Sequence, residues 1–345
     1  MTQLQSLLSS PFSAITFALI CGVIFVNGWT DAPNAISSCI ATRSLSPRKA
    51  ILMSAIFNLF GVLIVSHINA SVADSIRELV SFDGQQKIST IALCAAMSSI
   101  IIWSTLTWAF GIPTSESHAL TAGLSGAAVA LKNGFGGINL IKLGETLYGL
   151  LFSSFLGFFL GFITAKAIGF IFRKADRQKA NSLFKNAQII SGAAMSFMHG
   201  AQDGQKFLGV LLIGTAISSN KPAASNDPHI ILVMLVSVIM ALGTSLGGSR
   251  IIKSVGIDMV KLEKHRGFAA DLSSVLCLLF PTLLGIPVST THTKTSAVMG
   301  VGVAKRMSAL DLSKVKEICL AWLLTFPFCG LTGYITAKIF FFIFC

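Results

Sequence analysis

Two aspartates stand inside apolar stretches of this chain, Asp31 in "FVNGWTDAPNAISS" (25–38) and Asp203 in "HGAQDGQKFLGV" (199–210). A carboxylate in apolar surroundings is costly. Where it persists it marks an ion pathway or binding site, or is paired so that it only fixes packing. Gly28 and Pro33 flank the first aspartate, and Gly200 and Gly204 the second. These are poor helix-interior residues, so they predict broken helices whose freed backbone carbonyls meet a cation alongside the carboxylates. Asn34 adds an amide, and Thr30 and Gln202 each place a polar side chain one residue before an aspartate.

Two further stretches have the opposite polarity. "GIPTSESHALTAGLSGAAVA" (111–130) and "GIPVSTTHTKTSAVMGVGVA" (285–304) each set a proline before a Ser/Thr cluster and then an apolar run. That order reads as a helix start. It places Ser115, Ser117, Ser289, Thr290 and Thr291 where unpaired N–H groups and the helix dipole attract negative charge, which suits a tetrahedral oxyanion. Hydroxyls there also cap helices, and capping and anion binding use the same groups. His118 and His292 occupy matching positions, which marks them as structural or coupling elements; no ligand set of zinc-site spacing accompanies them. Glu116 has no counterpart carboxylate, since Thr290 matches it. A carboxylate beside an anion site must be protonated or bind a cation, so Glu116 is a candidate coupling residue.

Both motif pairs are internal repeats. The second GIPxSxxHxxTxxxxGxxVA stretch lies 174 residues after the first, with nine identities in twenty positions, and the Asp203 motif lies 172 residues after the Asp31 motif. Two pairs in the same order at nearly one offset indicate a duplicated chain. The expected division is a first repeat over 1–172, a basic cytoplasmic linker "RKADRQKANSLFKN" over 173–186, and a second repeat over 187–345. Lys206 then matches Asn34, either paired with Asp203 or in contact with an anion.

The elements that must position these residues are membrane spans. Of 345 residues 53% are hydrophobic and 12% charged, and the mean hydropathy is +0.76; a soluble globule carries about 25% charge. Apolar runs of spanning length recur throughout, so the fold class is an all-α polytopic membrane protein. No Lys or Arg precedes the first run, so it reads as a retained helix and not as a cleaved signal. The seven cysteines form no CxxC pair and read as small buried hydrophobes.

The net charge of +12 is explained by placement. Lys and Arg gather in 43–49, 173–186, 248–268 and 305–317, while the loops 67–87, 132–145 and 217–228 hold few. With the rich loops cytoplasmic, the positive-inside rule accounts for the basicity, the partner is anionic membrane lipid, and no nucleic-acid site is needed. Each GIP stretch can be two full crossings or a re-entrant hairpin. Either way each half has an odd number of crossings, so the halves are inverted, both termini lie outside, and all four basic loops fall inside.

The four motifs resemble the duplicated signatures of the PiT inorganic phosphate transporters, whose usual forms are GxNDxxNA and PxSTTH. The resemblance covers nearly the whole chain. It implies a multi-pass plasma-membrane symporter, not an enzyme, that imports inorganic phosphate with Na⁺ or H⁺ and needs no cofactor. It implies phosphate contacts at Ser115, Ser117, Ser289, Thr290, Thr291, Asn34 and Lys206. It implies cation contacts at Asp31, Asn34, Asp203 and Glu116, with Na⁺ at Asp31 and Asp203, supported by Thr30, Gln202, His118 and His292. Thr30 and Gln202 replace the family's usual Asn, Lys206 replaces its second Asn, and Glu116 interrupts the first hydroxyl cluster. These departures make the proton a contender for the coupling ion. A homo-oligomer is compatible with the resemblance.

Three rivals follow from the same residues. A sulfate permease of the same fold keeps the mechanism. Phosphate at neutral pH can donate a hydrogen bond and sulfate cannot, so the nearby acceptors Glu116, Asp31 and Asp203 favour phosphate. An intramembrane Ser/His/Asp hydrolase needs one nucleophile with unlike partners, which two equivalent copies do not supply. A passive anion channel has no use for intramembrane aspartates, which repel its ion.

Overall fold

The computed structural model describes residues 5, 7–8, 10–82, 85–219 and 230–345; Lys221 and most of the 217–228 loop lie outside them. The regular elements of the described chain are all helical, and two isolated bridges, Val80 with Ile138 and Val260 with Leu310, tie connections together. The first half runs α1 (Pro11–Thr30), α2 (Pro33–Ala41), α3 (Pro47–Ile68), α4 (Ser71–Arg77), α5 (Gln86–Ala109), α6 (Glu116–Lys132) and α7 (Leu140–Ile171). The second runs α8 (Arg177–His199), α9 (Gln205–Ser219), α10 (Ile230–Leu246), α11 (Ser249–Lys253), α12 (Lys264–Leu283), α13 (Thr290–Lys305) and α14 (Leu312–Phe344). The order of elements is the same twice.

Among the described residues six segments are long and apolar enough to cross a membrane. They are Pro11–Ala41, α3, α5, α7, α12 and α14; α10 and the helix after it, bent by 65°, pass the same test together, as a broken span or a re-entrant loop. Large apolar side chains such as Phe155, Phe159 and Leu323 lie exposed along α7 and α14, as a surface facing hydrocarbon requires. Residues 177–186 of the expected linker are instead the first turns of α8, capped by Asp176, whose carboxylate accepts from the N–H groups of Gln178 and Lys179. The non-helical connection is therefore shorter than the basic stretch.

The halves are interlocked. The last helix of each packs on the GIP helix of the other, α7 on α13 and α14 on α6. Small residues permit this close approach: Gly161 faces the Ala297 backbone of α13, and Gly333 the Gly123 backbone of α6. One apolar core gathers around α1, α5, α6, α9 and α10, and a second lies among α7, α8, α12, α13 and α14. The polar site lies where helix starts from both halves meet.

Candidate functional site

Local sequence aims each motif. In the first half the helix stops at Thr30 and restarts at Pro33. Ala32 N–H reaches back five residues to Asn27 O at 3.3 Å, and Pro33 has no N–H to donate. The second half departs from the expected break. Residues Gly200–Gly204 form a single π-helical turn inside a continuous helix, a device that re-aims side chains without ending the rod. Gly28 and Gly200 match in the repeat and share a physical reason. A Cβ at either would overlap a backbone carbonyl, of Met240 on α10 or of Asn58 on α3.

Each GIP segment turns on a glycine at positive φ, Gly111 at 70° and Gly285 at 73°. The serine that follows caps the next helix. Ser115 Oγ accepts from His118 N–H at 3.2 Å, and Ser289 Oγ from His292 N–H at 3.1 Å. The N–H groups at the very start of α6 and α13 have no intrahelical acceptor.

The motifs of the two halves meet crosswise. Asn34 Nδ2 donates to Asp31 Oδ1 at 3.0 Å and to Thr291 Oγ1, on the second GIP helix, at 3.1 Å. Lys206 Nζ donates to Asp203 Oδ1 at 2.5 Å and to Ser117 Oγ, on the first GIP helix, at 2.6 Å. Thr290 Oγ1 donates to the other Asp203 oxygen at 3.0 Å. Carboxylate oxygens of Asp31 and Asp203 and a ring nitrogen of His199 lie within 4.8 Å of one another. The site is enclosed, since Asp31, Asn34, Asp203, Lys206, Ser117, Thr290 and Thr291 are all buried.

The remaining expected residues line its walls. Glu116 Oε1 lies 3.2 Å from the Thr30 hydroxyl, whose one proton also faces Val26 O at 2.8 Å, and Ser104 of α5 is beside it. Gln202 donates to Thr282 Oγ1 and to Ile286 O, bracing the second GIP turn. His118 and His292 pack edge to face, with ring centres 4.4 Å apart, and His292 stacks on Trp322. This suits a joint between the two tips.

Lys206, one of the expected phosphate contacts, is engaged here with protein acceptors, the first of them Asp203. An ammonium has three protons, and here Asp203, Ser117 and Val288 O, at 2.5 Å, take all three. The side chain has no donor left for an anion. Ser117 is similarly engaged, accepting from Lys206 while its own proton goes to Val288 O at 3.2 Å.

Sequence reasoning missed His199. Thr244 Oγ1 donates to Met240 O, so it accepts from Asn58 Nδ2, which turns Asn58 Oδ1 toward His199 Nδ1 at 3.0 Å. Nδ1 therefore carries the proton. A neutral His199 then aims its Nε2 lone pair at Asp203 Oδ2, 3.2 Å away, an arrangement that a proton or a cation between the two relieves. Other acceptors also lack donors: Asn27 Oδ1, Asn34 Oδ1, Gln202 Oε1 and Glu116 Oε2 are buried without a hydrogen-bond partner. Such orphans are costly and are what a cation satisfies. The signal for His199 was its place in "HGAQD", four residues before Asp203 and so on one helix face with it.

Missed as well was a buried ion pair, Lys294 of α13 with Asp271 of α12. Ser38 donates to Asp271 and accepts from Lys294, and Gln188 and Ser191 of α8 also donate to Asp271. A lysine in the otherwise uncharged run "STTHTKTSAVMG" was the available sign.

The model of the phosphate transporter family matches residues 27–333, a span that holds every motif above. The chain belongs to that family. It is 31% identical over 319 residues to a probable low-affinity inorganic phosphate transporter of Bacillus subtilis, covering 92% of this chain and 94% of the relative. It is 33% identical over 322 residues to one of Rhizobium meliloti, covering 91% and 94%. A solved structure titled the sodium-dependent phosphate transporter superposes with a TM-score of 0.85 at 21% identity, over 97% of this chain and all of the other. That likeness shows the fold of a phosphate transporter family member. The family transports and does not catalyse, which disposes of the hydrolase.

Proposed function

We propose that this protein is a secondary active transporter that imports inorganic phosphate across the plasma membrane together with Na⁺ or H⁺. The observation that carries the reading is the crosswise meeting, at one enclosed point, of two carboxylates with two hydroxyl-capped helix starts. In it, phosphate binds at the starts of α6 and α13, where Ser115, Ser289 and Thr291 have hydroxyls and the dipoles favour negative charge. Asp31, Asn34 and Asp203 hold the coupling cation, with His199 and the orphaned acceptors around them. Two carboxylates repel a dianion, and a cation between them reverses the sign, so cation and phosphate bind with positive, reciprocal cooperativity. The two halves are inverted repeats with both termini outside, which supports an alternating-access cycle around a fixed midplane site. Family membership and the relatives' names support phosphate, and nothing supports sulfate.

The test is uptake of radiolabelled phosphate into proteoliposomes under separately imposed Na⁺ and pH gradients, with sulfate as competitor. Uptake driven by one of the gradients and unaffected by sulfate is the expected result. Uptake indifferent to both gradients would overturn cation coupling.

A further inference from the structure

The two halves of the site differ at one position in a way that bears on the number of ions used. Asn34 and Lys206 match in the repeat, as do Asp31 with Asp203 and Thr291 with Ser117. In the first half the position between aspartate and GIP-helix hydroxyl is bridged by a neutral amide, at 3.0 and 3.1 Å. In the second half it is filled by a buried ammonium, at 2.5 and 2.6 Å.

The acceptors around Lys206 Nζ are a carboxylate oxygen, a hydroxyl oxygen and the Val288 carbonyl, all at 2.5–2.6 Å. Hard oxygens of these three kinds converging on one point are the donors that hold a hard metal cation. The three protons match three acceptors, so the ammonium fills this cage and has no donor for phosphate. Lys206 thereby compensates Asp203 through one carboxylate oxygen, while the other stays in the cluster with Asp31 and His199 that takes the one free cation. Asp31 has no such direct partner: the amide beside it is neutral, and the charged groups that act on it, Asp203, Glu116 and Lys206, do so without a hydrogen bond to it.

We propose that Lys206 is a tethered cation that permanently occupies, in the second half, the place of a free coupling ion, leaving the Asp31 half as the one that takes a free cation. The inference rests on the reading of this site as cation-coupled phosphate transport. A tethered charge returns with the empty carrier, so it screens phosphate from Asp203 while adding nothing to the ion flux. Phosphate uptake is then first order in the free cation, and an amide at position 206 adds one to that order.

The experiment is phosphate uptake by the reconstituted full chain, titrated with Na⁺ at fixed pH and with pH at fixed Na⁺. The wild type is expected to show first order in its coupling cation. Lys206→Asn is expected to lose at least tenfold in uptake at low Na⁺ and to recover at high Na⁺, with the order in Na⁺ raised by one. Adding Asp203→Asn to it should return the order to the wild-type value, which a packing role for Lys206 would not predict. Second-order dependence in the wild type overturns the proposal even if Lys206→Asn fails to fold. So does a folded Lys206→Asn with unchanged order, or with a loss that no Na⁺ concentration restores. A wild type that takes up no phosphate under any gradient instead refutes the functional reading beneath it.

Discussion

At the residue scale the chemistry divides between hydroxyls and carboxylates. Ser115 and Ser289 each cap a helix and stand where phosphate is proposed to bind, so Ala at either should act in two ways. Loss of the cap costs about 1 kcal/mol, and phosphate affinity should fall whichever tip is changed, because both helix starts face one site. Thermal unfolding and phosphate binding to the purified protein separate the two effects; a dispensable tip would refute a shared site. Asp31→Asn should change the dependence on the ion gradient while leaving some ungated phosphate binding, since it removes a cation ligand and no hydroxyl. Glu116 has one oxygen 3.2 Å from the Thr30 hydroxyl and the other orphaned. If the proton is the coupled ion, Glu116→Gln should flatten the pH profile of uptake; a profile unchanged from the wild type removes Glu116 from the coupling path.

At the scale of elements, helices approach closely where glycine allows it, and charges are buried where helices cross. Gly28→Ala and Gly200→Ala should each push apart a helix pair, α1 from α10 or α8 from α3, because the added methyl meets a backbone carbonyl that cannot move aside. Each should lower the yield of folded protein in detergent, whereas Gly136→Ala, which has open space around it, should not. The pair of Asp271 and Lys294 joins α12 to α13 in full burial. Asp271→Asn leaves a buried ammonium uncompensated and should cost about 3–5 kcal/mol, while the double change of Asp271→Asn with Lys294→Met should recover much of it. Equal losses in the single and double variants would show that the pair is not coupled.

For the whole molecule the testable property is orientation. Charge places the basic stretches in the cytoplasm. A cysteine at Gly136, exposed at the α6–α7 connection, should then react with an impermeant thiol reagent outside intact cells. One at Lys261, exposed ahead of α12, should react only after the membrane is opened. The reverse pattern would overturn the orientation and leave the repeated order of helices intact.

Composition, the recurrence of apolar runs and the two motif pairs were enough to indicate a polytopic membrane protein with repeated motifs, because hydrocarbon solvent and a 172–174-residue motif offset are written along the chain. The helix starts at Ser115 and Ser289 were legible for the same reason: glycine, proline and serine act on the backbone within a few residues. What the fold alone decided is which polar group faces which. Lys206 could have met an anion or Asp203, and only the arrival of Ser117 and Val288 O from distant segments uses up its three protons. The π turn at Gly200–Gly204 replaced a predicted break because packing on α3 keeps that helix continuous. The pair of Asp271 and Lys294 looks ordinary in sequence because each acquires its role from a partner on another helix, and His199 shows only its spacing from Asp203, since Asn58, which fixes its ring, lies 141 positions away.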